Sequence, residues 1–362
     1  MPPIANPLLC FVMAFTLVYS ILPVVIRIAI RRKLVDVPDE RSSHSRLIPS
    51  LGGIAIFIGT IFSTIIMTPS HQFGTLQYVL GAIVIIFMVG AKDDIEPLSA
   101  RNKTMGLLLA VGILVFLADI RLNSMYSLLG FTGTFPYWLS CLVSAFTIFV
   151  IINAFNLIDG INGLAASLGI LSSLSFGAWF FLAGHTEYSV LAVALAGALL
   201  AFLRYNVSPA RIFMGDTGSL LIGTVSAVFA IQFIDICSGE IMATQSCFNN
   251  PIAIAISLLI VPLFDTIRVF ATRIFRGDSP FKPDRRHIHH LLIDSGRNHM
   301  EATTILALVN ISFICLAVLL DPFMNLHELL FVEAGLLLIM TYWLHRNVYR
   351  RRKQTAQNHR PT

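Results

Sequence analysis

Residues 6–30 read NPLLCFVMAFTLVYSILPVVIRIAI, with Arg27 the only charge in the run. Wound as a helix at about 1.5 Å per residue, a run of this length crosses the roughly 30 Å hydrocarbon core of a bilayer. Its chemistry is that of a segment dissolved in lipid. The residues before it, MPPIA, contain no Lys or Arg, so the run reads as a retained helix and not as a cleaved signal.

Working outward, ten more stretches of this kind follow, at about 51–68, 76–90, 104–118, 136–153 and 163–183, then 188–203, 218–234, 252–275, 302–320 and 328–345. Composition agrees. Of 362 residues, 56% are hydrophobic and only 12% charged, about half the charge of an ordinary soluble protein. A disordered tail, a disulfide scaffold and a soluble two-domain enzyme are thereby excluded. The expected fold is all-α: a polytopic membrane bundle of about eleven transmembrane helices, one domain over residues 1–362 without internal repeats, closing in a basic tail at 346–362.

The net charge of +5 does not point to nucleic acid, because Lys and Arg fall in short clusters between apolar stretches. With eleven spans, alternate loops share a side. Of the 25 Lys and Arg, only Arg121 then lies opposite the rest. Positive charge marks the cytoplasmic side, which puts the amino terminus outside and the carboxyl terminus in the cytoplasm.

Four polar runs are unexplained by membrane crossing, and all lie on that basic side. Lys92-Asp93-Asp94, followed by Lys103, holds adjacent carboxylates that repel unless a cation or proton sits between them. Mg²⁺ takes one or two carboxylates and fills its shell with water and phosphate oxygens. Asn153-Ala-Phe-Asn156-Leu-Ile-Asp159-Gly160-Ile-Asn162-Gly163 is richer in hydrogen-bonding groups than a tight turn needs. Phe213-Met-Gly215-Asp216-Thr217-Gly218-Ser219 opens a span, where free backbone N–H groups favour phosphate, although helix capping by Asp216 or Thr217 reads equally well. Arg286-His287-Ile-His289-His290 suits an anionic or polyhydroxylated ligand. Carboxylates for a metal, a lysine, helix-start amides and an Arg/His loop at one membrane face are the parts of a phosphoryl-transfer site.

These four runs, in this order, resemble the polyprenyl-phosphate N-acetylhexosamine-1-phosphate transferases over nearly the whole chain. The first cytoplasmic loop, with Val35-Asp36-Val-Pro38 and Pro49-Ser50-Leu-Gly52-Gly53, is similar too. The resemblance implies transfer of a sugar-1-phosphate from a UDP-sugar to undecaprenyl phosphate at a bacterial inner membrane. UMP is released, with Mg²⁺ as cofactor and Mn²⁺ as a substitute. It implies catalytic roles for Asp93, Asp94, Asp159 and Lys103, and metal ligation by Asp216 and Asp94. It implies substrate binding by Asp36, Asn156, Asn162, Asn206, Phe213, Arg286, His287, His289 and His290. Asn162 departs from the Asp of many relatives; its amide hydrogen-bonds but cannot act as a base.

Two other functions are weighed. The branch using UDP-muramoyl-pentapeptide typically carries three consecutive His before Phe-Glu, whereas this chain reads His287-Ile-His289-His290-Leu-Leu and resembles the N-acetylglucosamine branch. A transporter would hold ionisable residues near mid-membrane. Here Asp265 and Arg268 enter a span near its cytoplasmic end. Lipid and the two substrates are the expected partners, and homodimerisation is left open. Cys237 and Cys247 share one outer loop, where a disulfide and two free thiols are alternatives of equal weight.

Overall fold

A computed structural model describes residues 6–34, 48–126, 128–130, 133–238, 247–277 and 287–358. Thirteen α-helices dominate the described residues, and the only β pairing among them is an isolated bridge between Ser124 and Thr134. The helices are α1 (Pro7–Arg31), α2 (Gly52–Met67), α3 (Leu76–Ile95), α4 (Ala100–Gly112), α5 (Tyr137–Ile158), α6 (Leu164–Leu182) and α7 (Thr186–Asn206). They continue with α8 (Gly215–Ser238), α9 (Pro251–Leu258), α10 (Ile260–Phe275), α11 (Ile288–Asp294), α12 (His299–Leu320) and α13 (Leu326–Asn358). Each of the eleven apolar stretches is helical.

Local chemistry sets many of the ends. Asn6 caps α1 by accepting from the Leu9 amide at 3.1 Å, with Pro7 at the first helical position, where its missing N–H costs nothing. Ser99 caps α4, and Asn298 with Glu301 forms a reciprocal capping box on α12. Asn and Asp residues cannot halt a helix by themselves, so α3 runs past the apolar stretch to carry Lys92, Asp93 and Asp94, and α5 runs on to carry Asn156.

Among the described residues eight helical runs, one of them α4 continued to Leu117, are long and apolar enough to cross a membrane, and α9 with α10 makes a ninth if that bent pair is one span. The protein is therefore a polytopic membrane protein. Within the stretch expected over 252–275, α9 and α10 meet at 83°. The cause is Pro262, which has no N–H to give the Leu258 carbonyl four residues earlier. Asn310 of α12 donates to that freed carbonyl instead, at 3.3 Å.

The centre of the bundle is α8, 83% of whose apolar window is buried, against 22% for α1 and for α13 at the periphery. A helix apolar all round belongs in such an interior. It packs on α3 and α5, and also against α2, α6 and α9. The outer helices present Leu8, Leu319 and Phe331 outward, as a lipid solvent allows. Gly90 lets α3 approach α8 closely, since a Cβ there would lie 2.5 Å from the Thr217 Cα. That approach brings the end of α3 to the beginning of α8.

Candidate active site

Where α3 ends and α8 begins, Asp94 meets unpaired backbone donors. Its Oδ1 accepts from the Asp216 amide at 2.7 Å, and its Oδ2 from the Thr217 amide at 3.0 Å and the Thr217 hydroxyl at 2.5 Å. The amino end of α8, with its partial positive charge, is thus capped from another helix. Gly215 makes the turn at φ +72°, and a Cβ there would lie 2.2 Å from the Ser50 carbonyl and 2.6 Å from the Asp94 carboxylate. Asp94 lies past the apolar part of α3. Burial, joined by the charge of Asp93, pushes its carboxyl up to about 6 despite the lowering bonds from Thr217.

Asp93 points elsewhere. Its Oδ1 accepts from the Leu98 amide at 2.6 Å, holding the turn into α4, and its Oδ2 takes Lys103 at 3.0 Å. Lys103 also pairs with Asp216 and so bridges two acids that are far apart in sequence. Asn156, at the end of α5, donates to Asp216 at 2.9 Å and lies 3.0 Å from the Ser219 hydroxyl. Asp159 follows α5 and has no hydrogen-bond partner among the described residues. It keeps some exposed surface, yet protein crowds its carboxyl. That burial, with the charge of Asp94, pushes it up to about 7.

Four carboxylates therefore share one ammonium, leaving an excess of negative charge that a divalent cation or protons must offset. Hard oxygen donors of this kind suit magnesium, which needs only one or two carboxylates beside water and phosphate. Asp216, whose carboxylate meets Lys103 and Asn156, is the residue that could hold such an ion. Asp94 is already committed to α8 by three hydrogen bonds, which makes it first an anchor.

The histidine run forms α11 and its start. His287 Nδ1 lies 2.8 Å from Asp265 Oδ2, while Asp265 Oδ1 accepts from the Ile288 amide and from Arg268, each at 2.8 Å. Asp265 thus ties α11 to α10. An acid inside an apolar span was its sequence signal, but no role followed from the sequence. His289 is 1% exposed and packs on Gly160, beside Asp159: a Cβ on Gly160 would lie 2.1 Å from His289 Nε2. Neither ring nitrogen of His289 has a hydrogen-bond partner among the described residues. Burial pushes its pKa down to about 3, helped by the neighbouring His290, so the ring is neutral. His290 is half-buried, its ring centroid 4.3 Å from that of His289.

The remaining expected residues form a separate group. Asn206 accepts from the Gly163 amide at 2.6 Å and donates to the Ile212 carbonyl at 2.9 Å, so both ends of its amide hold the backbone. Asn162 donates to Ser208 at 2.9 Å, and its carbonyl accepts from Thr303. Phe213 is half-buried on the segment leading into α8, which pairs through backbone bonds with Pro49 and Gly52. Asp36 and Arg286 lie outside the described residues. The sequence reading assigned no partner roles to Thr217 and Ser219, because hydroxyls at a helix start read as self-capping.

The sequence profile of glycosyl transferase family 4 matches residues 76–234, which hold the acidic pair, Lys103, Asn156, Asp159 and Asp216. Over 311 residues the chain is 32% identical to a probable undecaprenyl-phosphate N-acetylglucosaminyl 1-phosphate transferase of Bacillus subtilis, covering 86% of this chain and 84% of that one. It is 32% identical over 295 residues to the undecaprenyl-phosphate alpha-N-acetylglucosaminyl 1-phosphate transferase of Yersinia pestis, covering 78% and 75%. With the decaprenyl-phosphate N-acetylglucosaminephosphotransferase of Mycolicibacterium smegmatis it shares 31% identity over 300 residues, covering 78% and 74%. With the acidic pair at the head of α8 and relatives matched over most of their length, the chain belongs to glycosyl transferase family 4, in the branch of the polyprenyl-phosphate N-acetylglucosamine-1-phosphate transferases.

Proposed function

We propose that the protein transfers N-acetylglucosamine-1-phosphate from UDP-N-acetylglucosamine to undecaprenyl phosphate, releasing UMP and beginning a lipid-linked polysaccharide of the bacterial cell envelope. The observation that carries this reading is the Lys103 bridge between Asp93 and Asp216 at the amino end of a buried helix. Phosphoryl transfer asks a protein for positioning and for charge to offset the phosphate oxygens, and little else. An oxygen of the acceptor phosphate attacks the sugar-linked phosphorus of the donor, and the bond from that phosphorus to the UMP oxygen breaks.

Lys103 exchanges one of its two carboxylates for a phosphate oxygen, and Asn156 keeps Asp216 in place by donating to it. Asp159, without a partner to hold its proton, is suited to take one from the acceptor phosphate. Asp216 would hold the metal; magnesium, when bound, supplies positive charge to the donor oxygens. His290 and Phe213, both half-buried beside these elements, are proposed to contact the donor. Asn206 and Asn162 support it by fixing the turn at Gly163. The reading places eleven spans in the inner membrane, with the amino terminus outside and this site at the cytoplasmic face, on the strength of the Lys and Arg distribution.

Purified protein should release UMP from UDP-N-acetylglucosamine only when undecaprenyl phosphate is present, and EDTA should abolish release. Asp216→Asn should reduce turnover by about 10²–10³-fold. UMP release that ignores the lipid acceptor, or full activity in EDTA, would overturn the proposal.

A further inference from the structure

A cavity of about 280 Å³ opens between α10, α11, α12 and α13. Phe264, Ile288, Leu292, Val309 and Leu344 make its wall apolar, and Thr341 is its polar exception. The Thr341 hydroxyl is buried and has no hydrogen-bond partner among the described residues. A buried hydroxyl without a partner is unfavourable, and an occupant carrying an oxygen would satisfy it.

The cavity leads to positive charge. Arg276, exposed at the end of α10, lies within electrostatic reach of His345 on α13, as does Arg268. His345 is four residues beyond Thr341, about 6 Å along the helix. Trp343 stands at the rim, 66% exposed, where an aromatic ring suits the boundary between lipid and water.

We propose that this cavity binds one anionic phospholipid of the surrounding bilayer. An acyl chain fills the apolar wall, an ester oxygen meets Thr341, and the headgroup phosphate lies against Arg276. The Thr341 hydroxyl in the wall and Arg276 near His345 are the two polar partners that a phospholipid's ester and phosphate need. A polyprenyl phosphate carries its phosphate directly on a hydrocarbon chain and has no ester oxygen for Thr341. The inference stands on the cavity and the membrane alone, and its test does not depend on transferase activity.

Binding is read by native mass spectrometry of the full chain in detergent, and by thermal shift, with phosphatidylglycerol, phosphatidylcholine and undecaprenyl phosphate as probes. The wild type should retain and be stabilised by phosphatidylglycerol in preference to phosphatidylcholine. Arg276→Gln should weaken phosphatidylglycerol binding about fivefold, the effect of one basic residue at a lipid surface. Thr341→Val, which keeps the shape and removes the hydroxyl, should weaken both phospholipids alike, and Val309→Trp should fill the space and abolish retention. Equal binding of the two phospholipids, or unchanged binding in Arg276→Gln and Thr341→Val, overturns the proposal whether or not Val309→Trp folds. Displacement of phosphatidylglycerol by stoichiometric undecaprenyl phosphate would also overturn it, assigning the cavity to the acceptor.

Discussion

Asp94 caps a helix to which it does not belong: its two carboxylate oxygens accept from the amides of Asp216 and Thr217, the first donors of α8. The neighbouring Asp93 instead holds Leu98 and Lys103. Two adjacent acids thus do different work. Asp94→Asn places an amide N–H against backbone N–H donors and should cost about 1–2 kcal/mol of stability. Asp93→Asn leaves the α8 cap intact and should melt near the wild type while losing turnover. Thermal melts of the two variants decide it, and equal destabilisation would refute the division.

Asp159 should be visible in the pH profile. Its carboxyl is pushed up to about 7, so a base there is lost as pH falls through that value. The expected kcat/KM rises with pH and levels above about 7. In Asp159→Asn the residual activity should lose this limb. A limb that survives the substitution belongs to another group.

His289 should make the fold acid-sensitive. Its pKa is about 6.5 when unfolded and about 3 when folded, so between these values the unfolded chain binds the extra proton. Stability therefore falls as pH drops from about 6.5 toward 3. His289→Gln, which cannot protonate, should flatten this dependence in melts taken from pH 7 to 4. An unchanged slope would clear His289 of the effect.

Asp265 is expected to act as a positioning residue through His287 and Ile288. Asp265→Asn retains one acceptor but loses the charge opposite Arg268, and should destabilise by up to about 3–5 kcal/mol if Arg268 is left uncompensated. With α11 released, the KM for UDP-sugar should rise more than the KM for the lipid acceptor, a split that loss of stability alone does not produce. Parallel rises in both constants would count against a positioning role.

Cys237 and Cys247 are not joined by a disulfide, and their sulfurs lie within hydrogen-bonding reach at the end of α8 opposite Asp216. Oxidation by a disulfide-forming reagent should join them, with each sulfur losing one hydrogen. The closed loop is expected to add about 2–3 kcal/mol on the chain-entropy account. Turnover should not change, because about 30 Å of helix separates the pair from the acids. Thiol counting before and after oxidation checks the bridge. A later melt that disappears in the double Cys→Ser variant checks its effect.

The membrane class, the helix positions and the four polar runs were legible in the sequence alone, because apolar length, charge spacing and motif chemistry are local properties of the chain. The stretch 252–275 read as one span, whereas the 83° angle within it depended on how α9 and α10 pack against α12. The site was legible as residue types and illegible as pairings. Lys103 and Asp216 are 113 positions apart, and no spacing rule joins them. Whether Asp94 faced a metal or a helix end turned on Gly90 letting α3 approach α8, a matter of interhelical distance. Asp265 looked like an isolated charge until α11 folded over it. A carboxylate's function follows from the donors it meets, and those donors are chosen by tertiary packing.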